Sequence, residues 1–219
     1  MKKCNSKKIN ILITAGPTRE KIDDIRFITN RSSGRMGYAL AEAALKRGMN
    51  VTLVSGPVCL APVKGVNTIK VESASEMADA VFRLESEAEI IISAAAVADY
   101  RPVKVTKGKI KKSDGEMVLK LERTTDILQT LGKSKRKNLF LAGFAAETER
   151  LLEYAEIKLK KKNLDLIIAN DVSDSEIGFN SDANAVTLIF KDGKKIDIPR
   201  SSKKIIAEKI IDEIISTIK

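Results

Sequence analysis

The stretch EIIISAAAV at residues 89–97 constrains the fold of this chain more than any other. It is apolar on both faces of a β-strand, and such a strand needs cover on both sides. A parallel sheet flanked by helices supplies that cover, and the rest of the chain is spaced to build one. INILIT (9–14), NVTLVSGP (50–57), VNTIKV (66–71), NLFLAGFAAET (138–148) and LDLIIAND (164–171) are further short apolar runs, most of them ended by small or turn-forming residues. Helical periods alternate with them: GYALAEAALKRG (37–48), stopping at Gly48; SASEMADAVFRLE (73–85), with Ser73 or Ser75 as N-cap; a helix begun by TDILQTLGK (125–133); ERLLEYAEIKLKKKN (149–163); and SSKKIIAEKIIDEIISTIK (201–219). ANAVTLIFKDGKKIDIP (183–199) reads as a hairpin turning at Asp192-Gly193. Residues 100–124 break the alternation and read as an antiparallel hairpin or arm with a Ser113-Asp114-Gly115 turn. The expected fold class is α/β: a Rossmann-like, doubly wound, mostly parallel sheet of about six parallel strands with an inserted antiparallel arm. Residues 1–219 are expected to form a single domain, with the arm at about 100–124.

Composition removes whole classes of chemistry. The 219 residues include no histidine, which excludes Ser-His-Asp and Cys-His nucleophiles and any imidazole base or metal ligand. Two cysteines, Cys4 and Cys59, build neither a zinc site nor a disulfide framework and fit a reducing, cytoplasmic setting. No apolar run approaches the roughly 20 residues that span a bilayer. The opening MKKCNSKKINILITAG reads as a charged tail entering a buried strand, so neither a leader nor a membrane partner is expected. A net charge of +10 favours anionic partners: phosphorylated metabolites, nucleotides or nucleic acid.

Ligands of open α/β sheets bind beyond the carboxyl ends of the strands. That directs attention to the loops after residues 14, 55, 94, 144 and 169. In the first, Ser32, Ser33, Gly34 and Gly37 open a helix whose free amides and neighbouring hydroxyls suit phosphate; the plainer alternative is a serine N-cap with a glycine for close packing. Asp99 follows the central strand, where a carboxylate suits a nucleotide or its magnesium, or simply a turn. The arm carries Lys104, Lys107, Lys109, Lys111 and Lys112, a flap across phosphates or a solvated face. Two other readings remain open at this point. Tyr154 and Lys158 have the spacing of a short-chain NAD(P) oxidoreductase pair, although the G-x-G-x-x-G fingerprint is missing. A basic nucleic-acid-binding module is the third, disfavoured because no aromatics interleave with the lysines.

The strings ILITAGPTRE, IRFITNRSSGRMG, VTLVSGPV, SAAAVADYRP, KIKK, GFAAET, KNLDLIIANDV and GFNSDANAVTLI, in this order, resemble the phosphopantothenoylcysteine synthetase domain of coenzyme A biosynthesis. The resemblance spans roughly residues 9–215 and implies the following. Phosphopantothenate–cysteine ligases join 4′-phosphopantothenate to L-cysteine using CTP and Mg2+, by way of an acyl-cytidylate, releasing pyrophosphate and CMP. They work as homodimers, with the arm serving as a flap that crosses toward the partner's site. In most bacteria the domain is fused to a flavin-dependent decarboxylase half; no flavin is expected on this chain. Asn30 matches the essential asparagine beside the acyl phosphate, where a neutral amide donates to a developing oxyanion. Arg26 matches an arginine that pairs with substrate phosphate or carboxylate. Lys109 matches the flap lysine on CTP. Ser93, Ala94, Ala95, Asp99, Thr125, Asp126, Phe144, Lys158 and Lys162 match further nucleotide contacts, Thr125 standing where a proline is common. The metal ligands are unassigned.

Overall fold

The computed structural model describes residues 8–112, 114–147, 150–171 and 183–218. Cys4, Ser113 and residues 178–182 of the GFNSDANAVTLI string lie outside the described residues. The elements run β1 (Asn10–Ala15), β2 (Arg19–Lys21), β3 (Phe27–Thr29), α1 (Arg35–Lys46), β4 (Asn50–Ser55), β5 (Asn67–Lys70), α2 (Ala74–Leu84), β6 (Ile90–Ser93), β7 (Tyr100–Pro102), β8 (Leu121–Arg123), α3 (Ile127–Lys133), β9 (Phe140–Glu147), α4 (Leu151–Lys161), β10 (Leu166–Asp171), β11 (Ala183–Phe190), β12 (Lys195–Ser202) and α5 (Lys203–Ile218).

One eight-stranded sheet has the order β12-β11-β10-β9-β6-β1-β4-β5. Its members from β5 to β10 are mutually parallel, and the β11–β12 hairpin adds an antiparallel edge. Numbered among the parallel strands alone, the order is 3-2-1-4-5-6, the doubly wound arrangement expected from the alternation. The direction of winding reverses between β1 and β6. A crevice therefore opens beyond Ala15 and Ser93.

The strand pleat explains why both faces are apolar. Ile90, Ile91 and Ile92 are all fully buried. Ile90 and Ile92 join Ile13, Leu40, Ile206 and Ile210 in the layer under α1 and α5. Ile91 joins Leu12, Met77, Leu128 and Leu159 in the layer under α2, α3 and α4. The helix α5 is tied to α1 by Arg47, whose Nη2 donates to Asp212 Oδ2 at 2.6 Å, and by a Lys46–Glu208 ion pair at 3.3 Å.

Several boundaries differ from expectation, each for a local reason. The central strand stops at Ser93, and residues 94–98 leave the sheet. Their amides are taken by the other side of the crevice: Ala95 N donates to Thr14 Oγ1 (3.2 Å), Ala96 N to Gly16 O (2.9 Å) and Ala98 N to Thr18 Oγ1 (3.0 Å). The first loop, expected to be irregular, contains the β2–β3 hairpin. The 100–124 arm is a ladder only at its base, where β7 pairs with β8. Helix α1 starts at Arg35, earlier than read, and its N-cap is Gly34 rather than a serine. Gly34 has φ 75°, a conformation that glycine adopts without penalty. Ser73, by contrast, is the N-cap of α2, accepting from Glu76 N at 3.2 Å.

Candidate functional site

The crevice at the winding reversal holds a cavity of about 250 Å³. It is walled by the start of α1 (Ser32, Ser33, Gly34, Arg35, Met36, Gly37), the loop after β6 (Ala94, Ala95, Ala96), Phe144 of β9 and Lys158 of α4; Asn170, Asn184 and Lys203 complete it. A larger cleft of about 860 Å³ opens at the opposite, amino ends of the strands, among Arg136, Asp165 and Lys191. Sheets of this winding bind ligands at their carboxyl ends, so the smaller cavity is the candidate.

Helix α1 can approach the sheet because residue 37 has no side chain. A Cβ there would stand 2.5 Å from Ala15 Cβ. The first helical hydrogen bond is Tyr38 N to Gly34 O (3.2 Å), so the amides of residues 35–37 precede the helical ladder and face the crevice end. Ser32 Oγ accepts from Gly34 N at 3.3 Å and shapes the turn. The described residues lining the cavity include three cations, Arg35, Lys158 and Lys203, and no acid. A helix start in cationic surroundings is an anion-binding arrangement.

Asn30 leaves β3 over the loop after β6, where its Nδ2 donates to Ala96 O (3.2 Å) and Val97 O (3.1 Å). The hairpin that carries it is fastened by Thr29 Oγ1 donating to Thr18 O (2.7 Å). Thr124, beyond the arm, donates its hydroxyl to Ala98 O (2.6 Å) and its amide to Asp99 O, leaving Asp99 exposed at the loop's end.

Lys158 Nζ donates to Phe144 O (2.8 Å), joining α4 to β9 at the cavity wall. Tyr154, one turn earlier, is exposed under the Arg150 guanidinium, 5.7 Å from ring centroid to Cζ. The two side chains are thus engaged by different neighbours.

The remaining sequence candidates sit outside the cavity lining. Asp126 is the N-cap of α3, accepting from Gln129 N (2.9 Å), and it also meets Lys162 Nζ at 2.7 Å. Burial pushes the Asp126 carboxyl up, but the Lys162 hydrogen bond, the Gln129 amide and the charges of Lys162 and Lys158 together hold it below its ordinary value. Thr125 is exposed beside it. Arg26 is engaged within its own turn: Nε donates to Asp23 Oδ2 (3.0 Å) and Nη2 to Ile110 O (3.0 Å). Lys109 is exposed on the arm.

Asn170, Asn184 and Lys203 were not singled out by sequence reasoning. Asn184 is 4% exposed and Lys203 8%. The Oδ1 atoms of both asparagines are buried and have no hydrogen-bond partner among the described residues. Asn170 lies one residue before the end of β10, just past residue 169, where the carboxyl-end rule directs attention. Nothing in the sequence separates Lys203 from the other 38 basic residues; only the packing of α5 brings it here.

Residues 6–218 match the family described as DNA/pantothenate metabolism flavoprotein C-terminal domain. The chain is 51% identical over 206 residues to the Coenzyme A biosynthesis bifunctional protein CoaBC of Bacillus subtilis (strain 168), covering 94% of this chain and 50% of that one. It thus spans about half the length of the curated relatives it matches. A crystal structure of the C-terminal domain of a CoaBC protein superposes with a TM-score of 0.81 at 48% identity, covering 94% of this chain and 93% of that one. The DNA/pantothenate metabolism flavoprotein from Streptococcus pneumoniae superposes with a TM-score of 0.82 at 26% identity, covering 95% and 99%. The chain therefore belongs to the DNA/pantothenate metabolism flavoprotein C-terminal domain family, the domain that stands at the C-terminal end of CoaBC.

Proposed function

We propose that this chain is a phosphopantothenate–cysteine ligase of coenzyme A biosynthesis, acting in the cytoplasm as one synthetase domain with an inserted flap. The observation that carries the reading is the convergence of three features at the winding reversal: the α1 start, the loop after β6, and Asn30 bonded to that loop. The family supports coenzyme A chemistry, and the site supports a polyanion.

In the first half-reaction the carboxylate of 4′-phosphopantothenate attacks the α-phosphorus of CTP. A bond from carboxylate oxygen to phosphorus forms, the α–β bridging bond breaks, and pyrophosphate leaves. In the second, the cysteine amine attacks the acyl carbon, the bond to CMP breaks, and the amine proton goes to solvent. Such reactions depend on positioning and charge neutralisation more than on a protein nucleophile, which suits a chain without histidine. The amides at the start of α1, with Ser32, Ser33, Gly34 and Gly37, hold phosphate oxygens. Ser93, Ala94 and Ala95 leave room for the nucleoside, which Phe144, Lys158, Thr125, Asp126 and Lys162 border. Asn30, on releasing one of its bonds to the Ala96 and Val97 carbonyls, donates to the acyl oxyanion. Lys109 closes over the triphosphate, and Arg26 steadies the arm that carries it. Among the described residues no cluster of three acidic or sulfur side chains is disposed to hold a metal alone. Mg2+ in nucleotide sites is typically held by one or two carboxylates plus substrate phosphates, and Asp99, exposed at the end of the loop after β6, is the carboxylate that would serve as such a donor. When bound, the ion supplies charge neutralisation on the phosphates.

A homodimer belongs to this proposal. Ile25, Phe27, Val103, Val105, Met117 and Val118 are exposed along the first hairpin and the arm, with Val118 85% accessible. Clustered exposed apolar side chains of this kind mark protein interfaces. A flavin-dependent decarboxylase, fused or assembled, is the partner that the bifunctional relatives suggest. No helix among the described residues is long and apolar enough to cross a membrane.

The test is incubation with 4′-phosphopantothenate, CTP, Mg2+ and cysteine. Equimolar pyrophosphate, CMP and 4′-phosphopantothenoylcysteine are expected; no CTP consumption under these conditions refutes the assignment.

A further inference from the structure

The arm is fastened to the β2–β3 turn by a repeating contact. Thr106 N donates to Ile22 O (3.1 Å), Gly108 N to Asp24 Oδ2 (2.7 Å) and Ile110 N to Asp23 Oδ2 (3.0 Å), while Arg26 Nη2 returns a bond to Ile110 O (3.0 Å). Alternate residues from Thr106 to Ile110 are thus held. Thr106, Gly108 and Ile110 are half-buried, and the intervening Lys107, Lys109 and Lys111 are exposed. The backbone bends at residues 107 and 108, Gly108 taking φ 77°, so the segment follows the turn as a curved strap and not as a straight strand.

The holding turn is itself rigid. The Asp23 side chain is fully buried. Its Oδ1 accepts from Ile25 N (2.9 Å) and Arg26 N (2.7 Å), an Asx-type turn, which leaves Oδ2 for Arg26 and Ile110. The Arg26 hydrogen bond first, and the Ile110, Ile25 and Arg26 amides after it, hold the Asp23 carboxyl far below the usual carboxylate range. It is ionised throughout the physiological range. Asp24, the neighbouring carboxylate, is exposed and accepts from Gly108 N.

We propose that Asp23 and Asp24 are positioning residues for Lys109: by gripping the amides on either side of it, they hold the backbone that presents its ammonium group to an anionic nucleotide. The proposal rests on the reading of this chain as a nucleotide-dependent ligase with Lys109 on the triphosphate. An arm without these anchors would sample many orientations, and CTP would have to order it on binding.

The experiment uses the full chain and a double-mutant cycle. Asp24→Ala removes an exposed acceptor and leaves the core untouched. In the parent background it is expected to raise the KM for CTP about three- to tenfold, the worth of one lost hydrogen bond, with kcat changed less than about twofold. In a Lys109→Ala background the same substitution is expected to change that KM by less than about twofold, because nothing remains to be positioned. Equal factors in both backgrounds overturn the proposal. A second readout needs no substrate. Amide exchange at Gly108 and Ile110 is expected to accelerate about tenfold or more in Asp24→Ala and Asp23→Asn respectively; unchanged exchange overturns the latch. If the parent protein consumes no CTP, the ligase reading fails, while the exchange measurement still decides whether the arm is held.

Discussion

Replacing Gly37 with alanine tests whether the closeness of α1 to the sheet matters to the site. The added methyl would lie 2.5 Å from Ala15 Cβ, 3.0 Å from Ala15 Cα and 3.1 Å from Thr14 O. Carbon atoms rest at about 3.5–4.0 Å, so the first turn of α1 must retreat by about 1 Å. Overpacking of this kind costs about 1–3 kcal/mol. The better helix propensity of alanine returns up to about 1 kcal/mol. A net loss of about 1–2 kcal/mol is expected, read as a lower urea midpoint with an unchanged slope. The retreat also carries the amides of residues 35–37 away from the crevice. A displacement of about 1 Å in a positioning element can lower turnover by about 100-fold, so kcat/KM for CTP should fall at least tenfold by the same reasoning. A variant as stable as the parent, with unchanged CTP kinetics, refutes both the packing argument and the placement of phosphate at this helix start.

Other perturbations separate roles that share a residue. Asp126→Ala removes the N-cap of α3 and the partner of Lys162, whereas Asp126→Asn keeps the cap. The alanine variant should lose about 1 kcal/mol more than the asparagine variant in chemical denaturation. The exposed share of the ion pair adds about 0.5 kcal/mol or less. Because the folded carboxyl titrates below its unfolded value, that part is present above about pH 4 and disappears as pH falls through the lowered folded value; the gap between parent and Asp126→Asn should close there. A gap that persists or widens on acidification contradicts the pairing. Asn30→Asp would set a carboxylate against the Ala96 and Val97 carbonyls. Product formation should fall about 10²–10³-fold while the circular dichroism spectrum is retained; near-normal ligation contradicts the amide's role.

The parallel strands themselves were legible because each run is short, β-branched and closed by a turn residue, and because EIIIS has no polar face. The β2–β3 hairpin was not legible. Arg19-Glu20-Lys21 shows no apolar alternation, and its pairing is set by the Asp23 turn and by Thr29 reaching Thr18. The early end of β6 was equally hidden. An alanine run looks like continuing strand until Thr14 and Thr18, some 80 residues away in sequence, take its amides. In the site, glycine and serine before a helix marked the wall of the cavity, since a helix start is a local pattern. Lys203 and Asn184 belong to the same cavity but arrive from the far end of the chain, and no local pattern distinguishes them.

The pairing of α1 with α5 has a consequence for folding. Leu40 and Ala44 are covered by a helix made from residues 203–218, far along the chain from them. Until that helix docks, α1 has an oily flank open to water, and a partly folded molecule exposes apolar surface that invites association. Docking of α5 closes the flank and, in the same event, delivers the Lys203 ammonium to the wall of the crevice.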